Sequence, residues 1–317
     1  MRFISKLGLA KFSTVCILLI ILIFVAGFRL ISLPLSKNVA EEVQFSVKKG
    51  EGSGDIALNL EKQNLIKWAP MFRIYILARG IAGDLKAGEY LLSPSMNVPE
   101  IADKLVRGDV IKISVIIPEG FTLKQIEERF GFELPGDNLE GFLFPDTYQF
   151  SFGFSAKEAV ERMKDNFEKK LTTDLREEIG RQGKTIFEMV TMASLIEKEV
   201  RTLEDKKLVS GILWKRFKIG MPLQVDATIA YILEGNWGFS EMRREIAAGK
   251  EVDSPYNTYK YPGLPLGPIC NPGLESIMAA VYPEESDHWY YLSTPEGETI
   301  FTGTLEKHNL AKAEHFK

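Results

Sequence analysis

Cysteine is nearly missing from this 317-residue chain, which has two. Cys16 lies in an apolar N-terminal run and Cys270 in a distant Pro/Gly-rich loop, so no disulfide framework is expected. Histidine is almost as scarce. His288, His308 and His315 fall near the C-terminus without metal-ligand spacing, so no metal is expected. Positive charge is not in excess. The net charge of −4 gives no reason to expect nucleic acid as a partner. Gly50-Glu51-Gly52-Ser53-Gly54 has the glycines of a phosphate loop, but no Lys-Ser/Thr and no Rossmann-length unit follow it, so no nucleotide cofactor is expected. No G-x-S-x-G nucleophile elbow occurs. Carboxylates, amides and aromatics remain, and these are the side chains of a carbohydrate site.

One long apolar run is present. From Phe12 to Leu33 the only charge is Arg29, and about 20 residues suffice to span a bilayer core. Arg2, Lys6 and Lys11 precede the run and Glu41 and Glu42 follow it, which puts residues 1–11 in the cytoplasm and the bulk of the chain outside. The rival reading is a cleaved signal peptide. The length of the run and the lack of a clean small-x-small cleavage site count against it.

The expected fold class is α+β: the membrane helix at 12–33, a tether at 34–42, a small α+β module at 43–130, and a mainly helical, loop-rich catalytic domain at 131–317. Val43–Val47 alternates as a strand does and runs into Gly50, with a helix through Ile56 and Leu60. The layout returns about 70 residues later as the strand 113–117, a turn at Gly120, and a helix through Ile126 and Phe130. A helix from Trp68 to Leu77, a hairpin at Lys86–Tyr90 and a helix from Pro99 to Val106 lie between the copies. Further helices are expected at 155–180, 185–200 and 203–218, with a capping box at Thr185 and Glu188. Asp226 reads as the cap of a short helix, and strands are expected at 289–293 and 299–302.

Glu197 is the side chain most clearly placed for chemistry. At 100° per residue, Ile186, Val190 and Ala193 fall within roughly 40° of it on the helix wheel, so a carboxylate sits in an apolar stripe. Desolvation there raises a carboxyl pKa, as a general acid near neutral pH requires. Glu188 and Glu199 fall on the opposite side and are expected to face water. The competing reading of Glu197 is an ion pair with Arg201, one turn on. A single well-placed acid suits a lytic transglycosylase, in which the muramic acid 6-hydroxyl attacks and one carboxyl serves as acid and then base. A hydrolase needs a second carboxylate, here Asp226 or Asp253.

Two loop groups follow. One is Leu223-Gln224-Val225-Asp226. The other runs from Asp253 through Tyr256-Asn257-Thr258-Tyr259 to Gly263-Leu264-Pro265-Leu266-Gly267. Asn257 is a candidate donor to an acetamido or hydroxyl group, and Tyr256 and Tyr259 are candidate stacking faces, against a plain reading as turns. The aromatic stretch Glu140 to Tyr148 is either a sugar-stacking wall or a buried brace.

With Ala193-Ser194-Leu195-Ile196-Glu197-Lys198-Glu199, these segments resemble the YceG-like (MltG) endolytic murein transglycosylases over nearly the whole chain. The resemblance implies a single-pass inner-membrane protein with a LysM-like module and a periplasmic catalytic domain. It implies cleavage between N-acetylmuramic acid and N-acetylglucosamine in nascent peptidoglycan strands, leaving 1,6-anhydromuramic ends and terminating strand elongation. It also implies catalysis by the first glutamate of the Glu-Lys-Glu triplet, Glu197. Substrate would be held by Gln224, Asp226, Tyr256, Asn257 and Tyr259, and penicillin-binding proteins and other cell-wall synthases would be partners. Val225, Ala227 and Leu266 depart from the family's usual Thr, Pro and Pro. The alternative of a different class is a non-catalytic peptidoglycan-binding scaffold.

Overall fold

The structure, a computed structural model, describes residues 33–36, 41–233, 248–294 and 297–315. Among them no helix is long and apolar enough to cross a membrane. The expected span at 12–33 lies outside the described residues except for Leu33, and Cys16 lies outside them too.

Two compact units make up the chain. One takes the residues up to Ile113 together with Gln149–Gly153, and the other takes Ser114–Tyr148 and Phe154 onward. In the first unit, strand β1 (Val43–Val47) pairs antiparallel with β2 (Gly88–Leu92), placing Phe45 opposite Tyr90. The hairpin expected at 86–90 is therefore a strand joined to a partner far back in the chain. Helices α1 (Ser53–Lys62), α2 (Ala69–Ala78) and α3 (Val98–Arg107) cover the pair, and Phe45, Leu60, Phe72, Tyr90 and Leu105 form a closed core. Burying each such side chain is worth about 1.5–3 kcal/mol. Asn97 and Glu100 form a capping box at the start of α3, and Gly108, at φ 72°, ends it in the left-handed conformation that favours glycine.

Strands β3 (Lys112–Ile116) and β4 (Thr147–Ser151) pair with each other, and the chain passes between the units within each of these strands and once more after Gly153. The second strand–turn–helix copy thus contributes its helix α4 (Leu123–Phe130) to the second unit, while the first copy lies wholly in the first.

In the second unit, the helix expected at 155–180 is two. Thr172 accepts from the Leu175 N–H and starts α6 (Thr173–Arg181) directly after α5 (Ala156–Lys170). The next helix, α7 (Ile186–Glu199), opens with the Thr185/Glu188 capping box. Every residue from Met189 to Ile196 is buried, so α7 is a central helix without a water face along that stretch. Helices α8 (Leu203–Lys218) and α10 (Leu274–Val281) pack against it. Between them in sequence is α9 (Asp226–Ile232), whose N-cap is Val225. Asp226 is its first residue and makes no capping bond, contrary to the expectation. Strands β5 (Tyr290–Ser293) and β6 (Thr299–Thr302) and helix α11 (Leu305–His315) complete the unit. The aromatic stretch acts as a brace: Phe144 is buried, and the Phe142 ring meets those of Phe167 and Phe187 at 5.2 and 6.2 Å.

Candidate active site

The three residues at the end of α7 point into three different environments. Glu197 is tied into structure. Its Oε2 accepts from the Gly273 N–H at 2.9 Å and the Ser276 hydroxyl at 2.7 Å, which completes the N-terminus of α10. Its Oε1 lies 3.6 Å from the Lys206 ammonium, and both side chains are almost fully buried. The cation facing Glu197 is thus Lys206, supplied by a neighbouring helix, in place of the expected Arg201. Glu119 stands close by, its carboxyl raised by burial and by the charge of Glu197, and a side chain at Gly273 would collide with it. The apolar groove expected around Glu197 is replaced by donors and a buried ammonium.

Glu199 has the character expected of Glu197. It is partly buried, and burial together with the charge of Asp226 pushes its carboxyl up to about 7. The Tyr291 hydroxyl on β5, the Ala227 N–H in the first turn of α9, and the Arg216 charge each oppose that rise. Arg216 is itself buried and fixed, donating to the Leu223 carbonyl at 2.7 Å and to the Trp289 carbonyl at 2.7 and 3.0 Å. The expectation that Glu199 faces water fails because α9 and β5 close over the end of a helix that has no outer side.

Asp226 lies beside it. The Tyr259 hydroxyl donates to its Oδ1, and the Lys250 ammonium lies 3.6 Å from the same oxygen and over the Tyr259 ring. The two loops singled out in the sequence are laced together. The Gln224 N–H donates to the Thr258 carbonyl at 3.1 Å, and the Val225 N–H to the Thr258 hydroxyl at 3.0 Å. Gln224 holds φ at 55°, with its side chain exposed next to Asp226. Asn257, in contrast, is 1% exposed and fully used within its own loop. Its amide donates to the Lys250 and Val252 carbonyls at 2.9 and 2.8 Å, and its Oδ1 accepts from the Tyr259 N–H at 2.9 Å. Both amide hydrogens are thus spent on the loop that Asn257 builds.

A cleft of about 610 Å³ reaches the last turn of α7 at Lys198 and the first turn of α9 at Ala227, and is lined also by Glu140, Tyr231 and Tyr256. The Tyr231 and Tyr256 rings sit 5.1 Å apart on its wall. Glu140 accepts from the Leu123 N–H at 3.0 Å and the Asn271 amide at 3.1 Å. Burial drives its carboxyl up to about 7 in spite of these bonds. Lys198 donates to the Gly120 carbonyl at 3.2 Å. Ala227 links cleft and acid, since it lines the former and its N–H meets the latter. Among the described residues no three His, Cys, Asp or Glu side chains gather to hold a metal ion, and Cys270 is buried and free.

Sequence reasoning found the loops and the right turn of α7 but passed over Glu199, Glu140, Tyr231 and Arg216. Glu140 stands in the quoted Glu140–Tyr148 stretch, but a single carboxylate before a glycine carries no signal of burial. Tyr291 and Arg216 reach the site from elements far along the chain.

The sequence profile of the YceG-like family matches residues 45–314. A Bacillus subtilis protein named endolytic murein transglycosylase is 30% identical over 319 residues, covering 89% of this chain and 87% of that one. A Streptococcus pneumoniae protein of the same name is 29% identical over 334 residues and longer, with 89% of this chain matching 60% of it. A crystal structure of a YceG-like protein from Listeria monocytogenes superposes with a TM-score of 0.56 at 32% identity, over 86% of this chain and 99% of that one.

Proposed function

The chain belongs to the YceG-like family, and on that footing we propose that its second unit cuts peptidoglycan glycan strands between N-acetylmuramic acid and N-acetylglucosamine, with Glu199 as the acid and then the base. It is a lytic transglycosylase, a lyase, as the shared name of its relatives states. What favours Glu199 over Glu140, whose carboxyl is likewise pushed up to about 7, is its surroundings: Asp226 stands beside it as a second carboxylate, and Ala227, whose N–H meets it, lines the cleft. A carboxyl with that affinity still holds a proton near neutral pH and also gives it up readily, which both halves of the reaction require.

Glu199 donates its proton to the glycosidic oxygen as the muramic C1–O bond breaks, and the N-acetylglucosamine end leaves as an alcohol. The oxocarbenium-like C1 develops beside Asp226, whose carboxylate accepts from Tyr259. The muramic C6 hydroxyl then gives its proton to the Glu199 carboxylate as its oxygen bonds C1, closing the 1,6-anhydro ring. Atoms and protons balance, and no water enters. The cleft seats the strand, with Tyr231 and Tyr256 as stacking faces and Gln224 as an exposed amide for sugar hydroxyls. Glu197 serves the fold of this site by holding α10 and Lys206 in place.

The 12–33 run is read as a single span of the bacterial inner membrane with the N-terminus in the cytoplasm. The cutting unit then meets strands as they are made, ends their elongation, and works beside the synthases that build them. A muramidase reading rests on the same carboxylate neighbours, with Asp226 as the second group. Mass spectrometry of glycan products separates the two. The full chain in detergent, given uncrosslinked glycan, is expected to leave 1,6-anhydro ends, and reducing ends would select the muramidase. Glu199→Gln is expected to stop cutting while Glu197→Gln keeps a measurable rate. A folded Glu199→Gln protein that cuts normally would return the role to Glu197, and one that cuts no worse in either variant would leave the scaffold reading.

A further inference from the structure

We propose that the face of the first unit built on helix α2 is a membrane-surface site, in which the groove at the start of that helix takes the acyl-chain boundary of a phospholipid leaflet. The proposal rests on the reading of 12–33 as a membrane span. It adds a second, peripheral contact that neither the family nor the relatives' names assign.

Helix α2 is apolar on more than one side. Ala69, Phe72 and Ile76 face the core, as an amphipathic helix should place them, yet Ile74 and Leu77 are 57% and 60% exposed. Trp68, its N-cap, is 55% exposed, and Leu58 on the neighbouring α1 is 49% exposed. A groove of about 320 Å³ opens here, walled by Leu65, Trp68, Met71 and Met96. A second groove runs along the same helix past Leu58, Pro70, Ile74 and Leu77. Scattered apolar residues are ordinary on a protein surface, but a contiguous set of this size marks an interaction site.

Chain geometry argues for lipid as the occupant. The apolar run that starts at Phe12 ends at Leu33, and Leu33 and Leu35 themselves line the first groove. The Ser36 N–H donates to the Pro94 carbonyl at 3.0 Å and fastens that end to the unit. On the reading of 12–33 as the span, the point where it leaves the bilayer falls on this face, which sets the grooves at headgroup depth. The chemistry agrees. An exposed Trp with Lys67 beside it is the pattern of interfacial anchoring, and Arg73 flanks the second groove where its stem can lie along apolar surface with its charge at the phosphates. Asp55 is the acidic residue at that groove.

Photolabelling tests this. The full chain is reconstituted in vesicles of phosphatidylethanolamine and phosphatidylglycerol containing a diazirine-acyl phosphatidylglycerol, irradiated, and mapped by peptide mass spectrometry. Lipid adducts are expected within 12–33 and also on residues 58–77. The triple variant Trp68→Glu, Ile74→Glu, Leu77→Glu changes only exposed positions. It is expected to keep the adducts in 12–33 and reduce those on 58–77 to background. Adducts in 12–33 with none on 58–77 overturn the proposal and leave the span reading standing. Adducts in neither segment overturn both. Adducts on 58–77 that persist in the triple variant, or crosslinks from 58–77 to a second copy of the chain in place of lipid, overturn the proposal alone.

Discussion

Glu197 and Ser276 are joined by a 2.7 Å hydrogen bond across two helices, so the N-terminus of α10 is capped by a side chain from α7. The Gly273 N–H shares the same oxygen, and the buried Lys206 balances the charge from the other side. Replacing Glu197 with Ala removes the cap and takes from the buried Lys206 ammonium its buried partner, leaving the exposed Glu275 at 3.6 Å and the nearby Glu119. The expected loss is about 2–4 kcal/mol in urea unfolding. Adding Lys206→Met is expected to restore a good part of it, since an apolar side chain of similar length leaves no charge uncompensated.

Glu199 carries the opposite expectation. Glu199→Gln removes the proton donor but keeps an oxygen that can accept from Tyr291 and the Ala227 N–H, so the rate of strand cutting is expected to fall by about 10²–10⁴-fold with the unfolding midpoint little changed. Steady-state assays beside thermal melts check both at once.

The pH profile follows from the same carboxyl. The first step needs Glu199 protonated, so kcat/KM is expected to fall as pH rises through about 7. The charge of Asp226 is one of the causes that raise it. Asp226→Asn is therefore expected to move the falling limb to lower pH as well as to slow the reaction. A limb that stays in place in Asp226→Asn would count against the pairing of these two groups.

Stability should depend on pH in a related way. Glu140 and Glu199 both have folded values of about 7, against an ordinary 4.5. The folded state binds protons more tightly than the unfolded chain between those limits. The stability they favour is fully present below the unfolded value and is lost as pH rises through the folded one. Urea midpoints taken across that window are expected to decline, with a combined effect on the order of a few kcal/mol. Glu140→Gln is expected to flatten the decline.

Asn257→Ala separates a loop-builder from a sugar donor. The side chain makes four hydrogen bonds in its own loop and is 1% exposed, so its removal is expected to cost about 2–3 kcal/mol. A donor to substrate would instead raise KM at unchanged stability. Melting curves and KM measured together decide between them.

Much of the architecture was legible because the signals were local. The Thr185/Glu188 box and the alternation of Phe45 and Val47 each depend on a few neighbours, whereas the cap at Thr172, which divides the run expected as one helix at 155–180, went unread. The helix wheel places Glu197 inside, where it is, but it does not reveal its partners, for a physical reason. It assumes a helix with one wet side, and α7 is surrounded. Which of Glu197, Lys198 and Glu199 meets a donor, a cleft or another carboxylate is decided by Gly273, Gly120 and Asp226. Those residues lie tens of positions away in sequence, and a periodicity cannot see them. Asn257 was visible as a loop residue, but the carbonyls that consume its amide become evident only when the loop closes.

The chain passes three times between its units, within strand β3, within strand β4 and again after Gly153. A domain joined at one end of a protein can be gained or shed by a single recombination event, but this one cannot. Excising residues up to 113 would orphan Gln149–Gly153, and swapping in a foreign module would require matching all three seams. The two units are thus expected to descend together, and chimeras between relatives should survive only when both crossing strands come from the same parent.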